Sequence, residues 1–423
     1  MELKPFAPDT RRVGAPTERS ALILMSAVVG SVPSGGDVLM FELARRLSGS
    51  SAITILTSAD GLLQMRAMGI DGITVVLVDK KMRSRSIAYR YFVRSLKGPR
   101  MARRLVRRLG HRPKIVISSS PFVPDLSIAL AARASGATWI QSWQLDIPPP
   151  RIGYYGRKGD LVEHSGVTKA VESGSAGRRA SAARIALSYI SQSLTLAAAR
   201  RWSRLLIVPT RLMAETAQRR GFDPKRILVA GYGVDVKVAG GSAVADKAGY
   251  DAIFLGRFHE QKGLDDLLQI WRNVQRRLPA ARLAVIGDGT GPAASRFKTE
   301  LSRQADLSIS QLGVLQGEQK YATLNQGRVF LFPSHHESWG HVVIEAMAAG
   351  MPAVGYDLPS SKEAFGSAML MVPMGDTLAF ADTVVRLLVD EDFYNSYREK
   401  GRRLAETHDW DRIAREVAKR IWD

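Results

Sequence analysis

Short apolar segments alternate with segments of helical periodicity along most of this chain. The runs 21–29 and 73–78 are rich in Val, Ile and Leu, which is typical of buried strands. Residues 37–49 instead carry apolar side chains at helical spacing and end at Gly49. Strands that alternate with helices form parallel sheets covered by helices on both faces. The sequence therefore predicts an α/β fold with doubly wound, Rossmann-like sheets.

The alternating pattern occurs in two series, and the second begins at YDAIFLG, residues 250–256. With 423 residues the chain is also too long for one ordinary hydrophobic core. We therefore expect two domains, with ligands bound at the carboxyl ends of the strands. The predicted divisions are a polar tail at 1–19, an N-terminal domain at 20–201 with a long mobile loop at 151–183, a C-terminal domain at 202–404, and a final amphipathic helix at 405–423.

Composition excludes some classes of protein. The chain has no cysteine, so disulfide frameworks and thiolate metal sites are excluded. The apolar run 21–32 is shorter than the roughly 20 residues that a membrane span needs, and it follows a polar tail. We interpret this run as a buried strand and not as a signal peptide, and we expect a cytoplasmic protein.

Positive charge is concentrated in a basic segment, residues 80–114. The chain has 60 Lys and Arg against 40 Asp and Glu, a net charge of +20, and the basic segment holds fourteen of these cations and no acid. Such a segment attracts phosphates, whether in a membrane surface, a nucleic acid or a sugar nucleotide.

The basic segment also has helical periodicity on both sides of Pro99, which predicts two basic amphipathic helices. These helices suit an anionic membrane surface, at about 1 kcal/mol per well-placed cation. In the alternative interpretation the apolar residues pack on the sheet and the cations are solvated. Nucleic acid is disfavoured as a partner because the segment matches no known binding module. The apolar residues are Ile87, Tyr91, Phe92 and Leu96 before Pro99, and Met101, Leu105, Val106 and Leu109 after it.

The second series places two cations near a helix start. Arg257 leaves the strand that ends at Gly256, and Lys262 stands directly before the next helix. Two cations beside a helix N-terminus suit a diphosphate. Gly287 follows the next strand, where a glycine lets a ligand approach the backbone. Solvated cations and a simple tight turn are the alternative explanations.

Two glutamates flank a further helix start. Glu337 follows a strand, and Glu345 lies in the helix that begins near Gly340. Carboxylates beside an anion site are suited to accept hydrogen bonds from sugar or ribose hydroxyls. The alternative is that Glu337 caps the helix and Glu345 is solvated. Apolar neighbours on both sides of Glu345 disfavour this alternative, since a buried carboxylate needs a polar partner.

The stretch ESWGHVVIEAMAAGMPAV, residues 337–354, resembles the E-x7-E signature of retaining glycosyltransferases of the GT-B fold, in the large family numbered four. The resemblance covers most of residues 20–423. It implies two facing Rossmann-like domains with a cleft between them, and transfer of a sugar from a nucleotide diphosphate donor with retention of configuration. The other similar segments are PSGGDVLMFELARRL (33–47), GYGVD (231–235), GRFHEQKG (256–263), VIGDG (285–289) and LFPSHHE (331–337).

The resemblance also implies roles for single residues. Arg257 and Lys262 would bind the diphosphate and stabilise the leaving group, and Glu337 would contact the donor sugar. Glu345 would accept hydrogen bonds from the ribose. The remaining donor-binding positions are Gly35, Gly36, Gly256, Gly287, Gly340, His341 and Val342, and the final helix, with Trp410, would cross back onto the N-terminal domain.

Two groups are not expected here, a metal ion and the family's usual histidine near the sugar. The D-x-D pairs 390–392 and 409–411 fall at predicted helix starts, where capping explains them. We therefore expect no metal and no other cofactor. Many relatives carry a His after a strand of the N-terminal domain, but residues 140–150 contain none. Gln144 and Asp146 are the candidates for its role on the acceptor side.

The resemblance, together with the basic segment, thus implies a retaining hexosyltransferase that uses a nucleotide sugar and a lipid or lipid-linked glycan acceptor. We expect the protein to bind peripherally to the cytoplasmic face of a membrane through residues 80–114. One alternative is a sugar-nucleotide epimerase of the same fold. The other is a non-catalytic, basic protein that binds membrane or RNA on a transferase-like scaffold.

Overall fold

The structure, a computed structural model, describes residues 19–28, 33–78, 87–108, 113–147, 175–239, 249–289, 291–304 and 306–423. Residues 1–18 of the predicted tail, and residues 151–174 of the predicted mobile loop, lie outside the described residues.

The N-terminal sheet is entirely parallel. Its strands are β1 Ser20–Met25, β2 Ala52–Thr57, β3 Thr74–Leu77, β4 Ile115–Ser118, β5 Thr138–Ser142, β6 Leu205–Val208 and β7 Ile227–Val229. The strand order is β3-β2-β1-β4-β5-β6-β7, in which each crossover is made by a helix-containing segment. Every residue of β1 is buried, as expected for a central strand covered on both faces.

The C-terminal sheet is also parallel. Its strands are β8 Tyr250–Leu255, β9 Leu283–Ile286, β10 Ile309–Gly313, β11 Gly327–Phe332, β12 Ala353–Tyr356 and β13 Met369–Val372. The order is β10-β9-β8-β11-β12-β13, so the order reverses between β8 and β11. Ligands of doubly wound folds bind beyond the carboxyl ends of strands at such a reversal.

Helices cover both sheets. They are α1 Gly35–Leu47, α2 Ala59–Ala67, α3 Ile87–Arg108, α4 Val123–Arg133, α5 Ser175–Trp202, α6 Arg211–Arg219, α7 Val236–Ala239, α8 Leu264–Arg277, α9 Pro292–Arg303, α10 Gly317–Leu324, α11 His341–Ala348, α12 Pro359–Phe365, α13 Thr377–Val389, α14 Glu391–Glu406 and α15 Trp410–Trp422. Among the described residues, no helix is both long enough and apolar enough to cross a bilayer.

The predicted domain boundary near residue 202 is wrong. Strand β6 pairs with β5 and β7 pairs with β6, so both strands belong to the N-terminal sheet. The second sheet starts only at β8. The local pattern of a strand does not reveal which sheet it joins, because its partner is chosen by tertiary packing.

The last helix lies against the N-terminal domain. Helix α15 packs on α1, and Arg46 on α1 pairs with Asp411 at 2.5 Å. Val234, just beyond the N-terminal sheet, forms a β-bridge with Asp409. The first acid of each D-x-D pair caps a helix as predicted: Asp390 accepts from the Phe393 N–H, and Asp409 from the N–H groups of Asp411 and Arg412.

The prediction of two helices in the basic segment is also wrong, because α3 runs through Pro99 without interruption. Of the predicted apolar residues whose side chains the structure describes, Tyr91 and Met101 are half-buried, but two arginines of the helix lie deeper than either. Arg90 and Arg94 are 7% and 1% exposed, whereas Phe92 and Leu96 are 63% and 59% exposed. Arg90 pairs with Asp60 of α2 at 2.9 Å, and Arg94 donates to the carbonyl oxygen of Ser26 at 2.9 Å. These partners offset part of the cost of burying the two guanidinium groups.

Helix α5 begins earlier than expected. It starts at Ser175, within the stretch 151–183 that was predicted to be a loop. Helices α3, α4, α5 and α6 then pack together on one face of the N-terminal sheet, through Ala102, Ile128, Leu196 and Met213.

Candidate active site

A cavity of about 1050 Å³ lies between the carboxyl edges of the two sheets. It is lined from the N-terminal domain by the start of α1 and the β4–α4 connection, and from the C-terminal domain by residues after β8, β9 and β11. The structure thus brings together the sequence-predicted residues Gly35, Gly36, Gln144, Gly256, Arg257, Lys262, Gly287, Glu337, Gly340, His341, Val342 and Glu345.

Lys262 and Glu337 form an ion pair inside the cavity, and their side chains are only 13% and 10% exposed. Gly263, which follows Lys262, has a φ of 62°, and a Cβ there would overlap the Pro333 carbonyl oxygen. A glycine is therefore needed for this close approach. It holds the turn that carries Lys262 against the β11 loop that carries Glu337.

Helix α11 points its N-terminus into the cavity. Its cap residue, Gly340, has a φ of 96°, and no side chain of the described chain caps the helix. Gly340, His341 and Val342 line the cavity. The first N–H groups of a helix lack partners within it and carry a partial positive charge, so this end of α11 can bind an anion.

Glu345 lies one helical turn further along α11 and is 4% exposed. Its Oε1 accepts a hydrogen bond from Lys320 Nζ at 2.6 Å and one from the Tyr321 hydroxyl at 3.3 Å. Burial by itself would raise the Glu345 pKa, but the charge of Lys320 and the hydrogen bonds from Lys320 and Tyr321 hold this pKa below its ordinary value. The predicted buried carboxylate thus has the polar partner it needs.

His341 links the two domains. Its Nε2 lies 2.8 Å from the carbonyl oxygen of Gly233, and its ring packs on Tyr232 and Trp410. A carbonyl only accepts, so Nε2 carries the proton. Burial lowers the pKa of His341, which keeps the ring neutral. The sequence predicts a donor-binding role for this residue, but not this contact between the domains.

The N-terminal wall of the cavity is formed around two glycines. A Cβ at Gly35 would lie 3.3 Å from the Tyr232 ring, and one at Gly36 would lie 3.1 Å from Gln144 Cγ. Gln144 Oε1 accepts from the Tyr232 hydroxyl at 2.7 Å, and its Nε2 donates to Ser142 Oγ at 2.6 Å. Gln144 is therefore held in place at the cavity wall.

Asp146 lies outside the cavity, in contrast to the prediction for it. It pairs with Arg220 at 2.8 Å and accepts from Gln192 Nε2 at 2.8 Å. Burial raises the Asp146 pKa despite the attraction of Arg220. Residues two apart in a regular extended segment would point to the same side. Their different positions therefore come from tertiary contacts: Arg220 and Gln192 hold Asp146, and Tyr232 holds Gln144.

Sequence reasoning missed several cavity residues. Asp37 lines the cavity and forms a capping box with Ser34, which the Ser-x-x-Asp spacing could have indicated. Burial raises the Asp37 pKa, opposed by the Ser34 hydrogen bonds and by the charge of Arg257. Lys320 and Tyr321 gave no local signal, since they lie on α10, far from Glu345 in the sequence.

The described residues contain no group of three or more His, Cys, Asp or Glu side chains arranged to hold a metal ion.

Two family models match the chain. Residues 34–233 match the glycosyl transferase 4-like domain, and residues 249–390 match the glycosyl transferases group 1 model. The two matches are separated at the junction between the sheets, and together they cover most of the chain. The chain belongs to the group 1 glycosyl transferases.

This group 1 family member is similar over part of its length to named relatives. It is 30% identical over 180 residues to phosphatidyl-myo-inositol mannosyltransferase of Mycobacterium leprae, which is 41% of this chain and 46% of that protein. It is 32% identical over 204 residues to D-inositol 3-phosphate glycosyltransferase of Frankia alni, 42% of this chain and 50% of that protein. The chain therefore spans about half the length of these relatives.

Solved structures share the whole architecture of this group 1 family member. Anabaena HepE, in complex with UDP and glucose, matches with a TM-score of 0.68 at 14% identity, over 96% of this chain and 100% of HepE. Sucrose-phosphate synthase of Thermosynechococcus elongatus matches with a TM-score of 0.68 at 16% identity, over 95% and 98% of the two chains. At such identities the likeness establishes the fold alone. The predicted GT-B fold is confirmed.

Proposed function

We propose that this protein transfers a sugar from a nucleotide diphosphate donor to an acceptor hydroxyl, with retention of configuration. One observation carries the proposal: Arg257, Lys262, the uncapped start of α11 and Glu345 line one cavity between the two domains. Cations and a helix N-terminus suit a diphosphate, and a carboxylate suits a ribose.

In this proposal the diphosphate is the leaving group, and the cavity stabilises its charge. Arg257 and Lys262 face the departing oxygens, and the N–H groups at the start of α11 supply further partial charge. These groups are already in place before the reaction, so little free energy is spent on reorganising them as charge develops. We propose that they serve in place of a metal ion.

Retention follows from attack on the face that the diphosphate leaves. The bond from the sugar C1 to the diphosphate oxygen breaks, and the acceptor oxygen bonds to C1 on the same face. The acceptor proton passes to an oxygen of the departing diphosphate. Two carboxylates of the cavity already have partners: Glu337 pairs with Lys262, and Asp37 accepts a hydrogen bond from Ser34. Because these contacts hold the carboxylates in place, they support a mechanism in which no carboxylate attacks the sugar.

The proposed acceptor is a lipid or a lipid-linked glycan at the cytoplasmic face of a membrane. The M. leprae relative is named for transfer to a phosphatidylinositol, which supports a lipid acceptor. The exposed cations of α3 support contact with anionic lipid. If the protein does not bind anionic liposomes at low salt, the membrane part of the proposal is wrong.

The decisive experiment is a thermal-shift panel with UDP, GDP, ADP and CMP in EDTA. A ligand at 100 times its Kd should stabilise the fold by about 2.7 kcal/mol. We expect one nucleoside diphosphate to shift the native protein and Arg277→Ala, but not Arg257→Ala. Arg277 is a matched control because it pairs with Asp382 on the surface of the same domain. No shift with any nucleotide would overturn the proposal.

A transfer assay separates the alternatives and tests retention. Donor consumption that does not depend on an acceptor would favour an epimerase, and the anomeric proton signal of the product in NMR reports the configuration.

A further inference from the structure

Two apolar stripes are exposed on the outer surface of the N-terminal domain. The α3 stripe consists of Tyr89, Phe92 and Leu96, and the α5 stripe of Leu187, Ile190 and Leu194. These side chains are 49%, 63%, 59%, 59%, 53% and 57% exposed, respectively. Each stripe has the spacing i, i+3, i+7 and so follows one face of its helix. Large exposed apolar surfaces of this kind mark interaction sites.

The two stripes face outward from the same helical layer. Helix α3 is anchored to the sheet core through Ala102 and α5 through Leu196, so their exposed faces point away from the sheet. Helix α4 lies between them and packs on both. Its own Leu126 and Leu130 are only partly buried, which extends the apolar character across the layer.

Both helices also meet the edge of the candidate active site. The Tyr91 ring of α3 lies 6.0 Å from the Phe122 ring, and Ser191 of α5 accepts from the Val123 N–H at 2.9 Å. Phe122 and Val123 begin α4, and Tyr91 and Phe122 line the cavity. The stripes therefore flank the N-terminal lip of the cleft.

Charge identifies the partner that fits this surface. The exposed side of α3 continues beyond its stripe with Lys97, Arg100, Arg103 and Arg104, all exposed. Neither α3 nor α5 contains an Asp or Glu. Apolar side chains beside a row of exposed cations match the acyl and headgroup layers of an anionic bilayer.

We propose that the α3 and α5 stripes insert together into the interface of an anionic phospholipid bilayer. The α3 cations then contact the headgroups, and the N-terminal lip of the cleft lies at headgroup level. This inference deepens the proposed function. The membrane contact itself does not depend on the identity of the acceptor, but its role in catalysis rests on the proposed lipid acceptor. The inference adds that attachment is partly hydrophobic and that α5, outside the basic segment, is half of the membrane contact.

The absence of cysteine makes a direct test possible. Ile190→Cys, Phe92→Cys and the control Val389→Cys each give one site for an environment-sensitive fluorophore. Val389 is as exposed as Phe92, at 63%, but lies on the C-terminal domain. With vesicles of phosphatidylcholine and phosphatidylglycerol, we expect a blue shift at positions 190 and 92 and none at 389. A shift at 92 alone, or at neither stripe, would overturn the proposal.

Vesicle co-sedimentation measures the contribution of α5. The variant Leu187→Ser/Ile190→Ser/Leu194→Ser should need about tenfold more lipid for half-maximal binding, because its apolar insertion is lost. The control Leu378→Ser/Val389→Ser, on exposed residues of α13, should bind like the native protein. Binding of the native protein to these vesicles should also persist in part in 0.5 M salt. Complete loss of binding in salt would mean that the contact is only electrostatic, which would contradict the proposal.

Other occupants of the surface give different results, each of which would overturn the proposal. Self-association would shift the fluorophore at position 190 with rising protein concentration, without vesicles. A segment of this chain folded over α5 would give a blue-shifted signal that vesicles do not change. The nucleotide panel reports separately on the cleft, so a failed membrane contact and a failed transferase proposal are distinguishable.

Discussion

Lys320 Nζ lies 2.6 Å from Glu345 Oε1, and the two side chains are 19% and 6% exposed. This pair allows a carboxylate to remain charged within the apolar helix α11. Lys320 and Tyr321 both donate their hydrogen bonds to the same oxygen of Glu345, Oε1. A ribose hydroxyl is therefore expected to use Oε2.

Replacing Lys320 should destabilise the fold in a pH-dependent way. We expect Lys320→Met to lower the free energy of unfolding by about 3 kcal/mol at pH 7.5, because a buried charge loses its partner. The native Glu345 pKa is lowered, so its contribution is present above the ordinary value and is lost as pH falls through the folded pKa. In the variant burial prevails and Glu345 takes up a proton, so the difference should shrink toward pH 5.

Urea unfolding at both pH values checks this prediction. Lys362→Met removes an exposed pair with Asp357 and should cost less than about 1 kcal/mol. Equal losses in the two variants would contradict a special role for Lys320, and the double variant Lys320→Met/Glu345→Gln should recover part of the stability.

Arg257 is expected to matter for turnover more than for stability. Arg257→Ala should lower kcat by two or more orders of magnitude, as is typical for loss of a group that stabilises transition-state charge. Its melting temperature without ligand should stay close to that of the native protein. Initial rates with saturating donor test this, against Arg277→Ala; an unchanged rate would remove Arg257 from the site.

Gly287 should not tolerate a side chain. Its φ is 140°, and a Cβ would overlap the carbonyl oxygen of Gly256, where β8 and β9 meet the cavity. Gly291 has a φ of 106° but no atom within 4 Å of a Cβ, so it is a control for backbone strain alone. We expect Gly291→Ala to cost about 1–2 kcal/mol and Gly287→Ala clearly more. Denaturant unfolding measures both, and equal costs would contradict the overlap.

His341 should contribute to acid sensitivity. Burial lowers its pKa, so the unfolded state binds a proton more readily. This contribution to stability is complete above the unfolded value of about 6.5 and is lost as pH falls through the folded pKa. His341→Gln retains a donor for the Gly233 carbonyl but does not titrate.

We therefore expect a smaller decline in the free energy of unfolding of His341→Gln between pH 7.5 and 5.5. A residual slope should remain, because burial also lowers the pKa of His259, His336 and His408. An identical slope in the variant and the native protein would mean that His341 does not titrate on unfolding.

Much of the fold and of the cavity follows from the sequence by itself. Periodicity distinguishes strands from helices, and the carboxyl ends of parallel strands all meet at one edge of their sheet. Residues placed after strands, such as Arg257, Gly287 and Glu337, therefore converge without knowledge of the sheet order. Gly340, which stands directly before an apolar helical segment, likewise marks the helix start at which an anion can bind.

Tertiary structure alone decided which partner each group meets. The pairing of β6 and β7 moved the domain boundary, and Asp60 and the end of β1 bury two arginines of α3 that periodicity would leave in solvent. The same holds for Asp146, which is held by Arg220 outside the cavity, and for Lys320, which holds Glu345 inside it. Local pattern sets the conformation of a segment, whereas the contacts that satisfy a buried charge come from residues distant in the sequence.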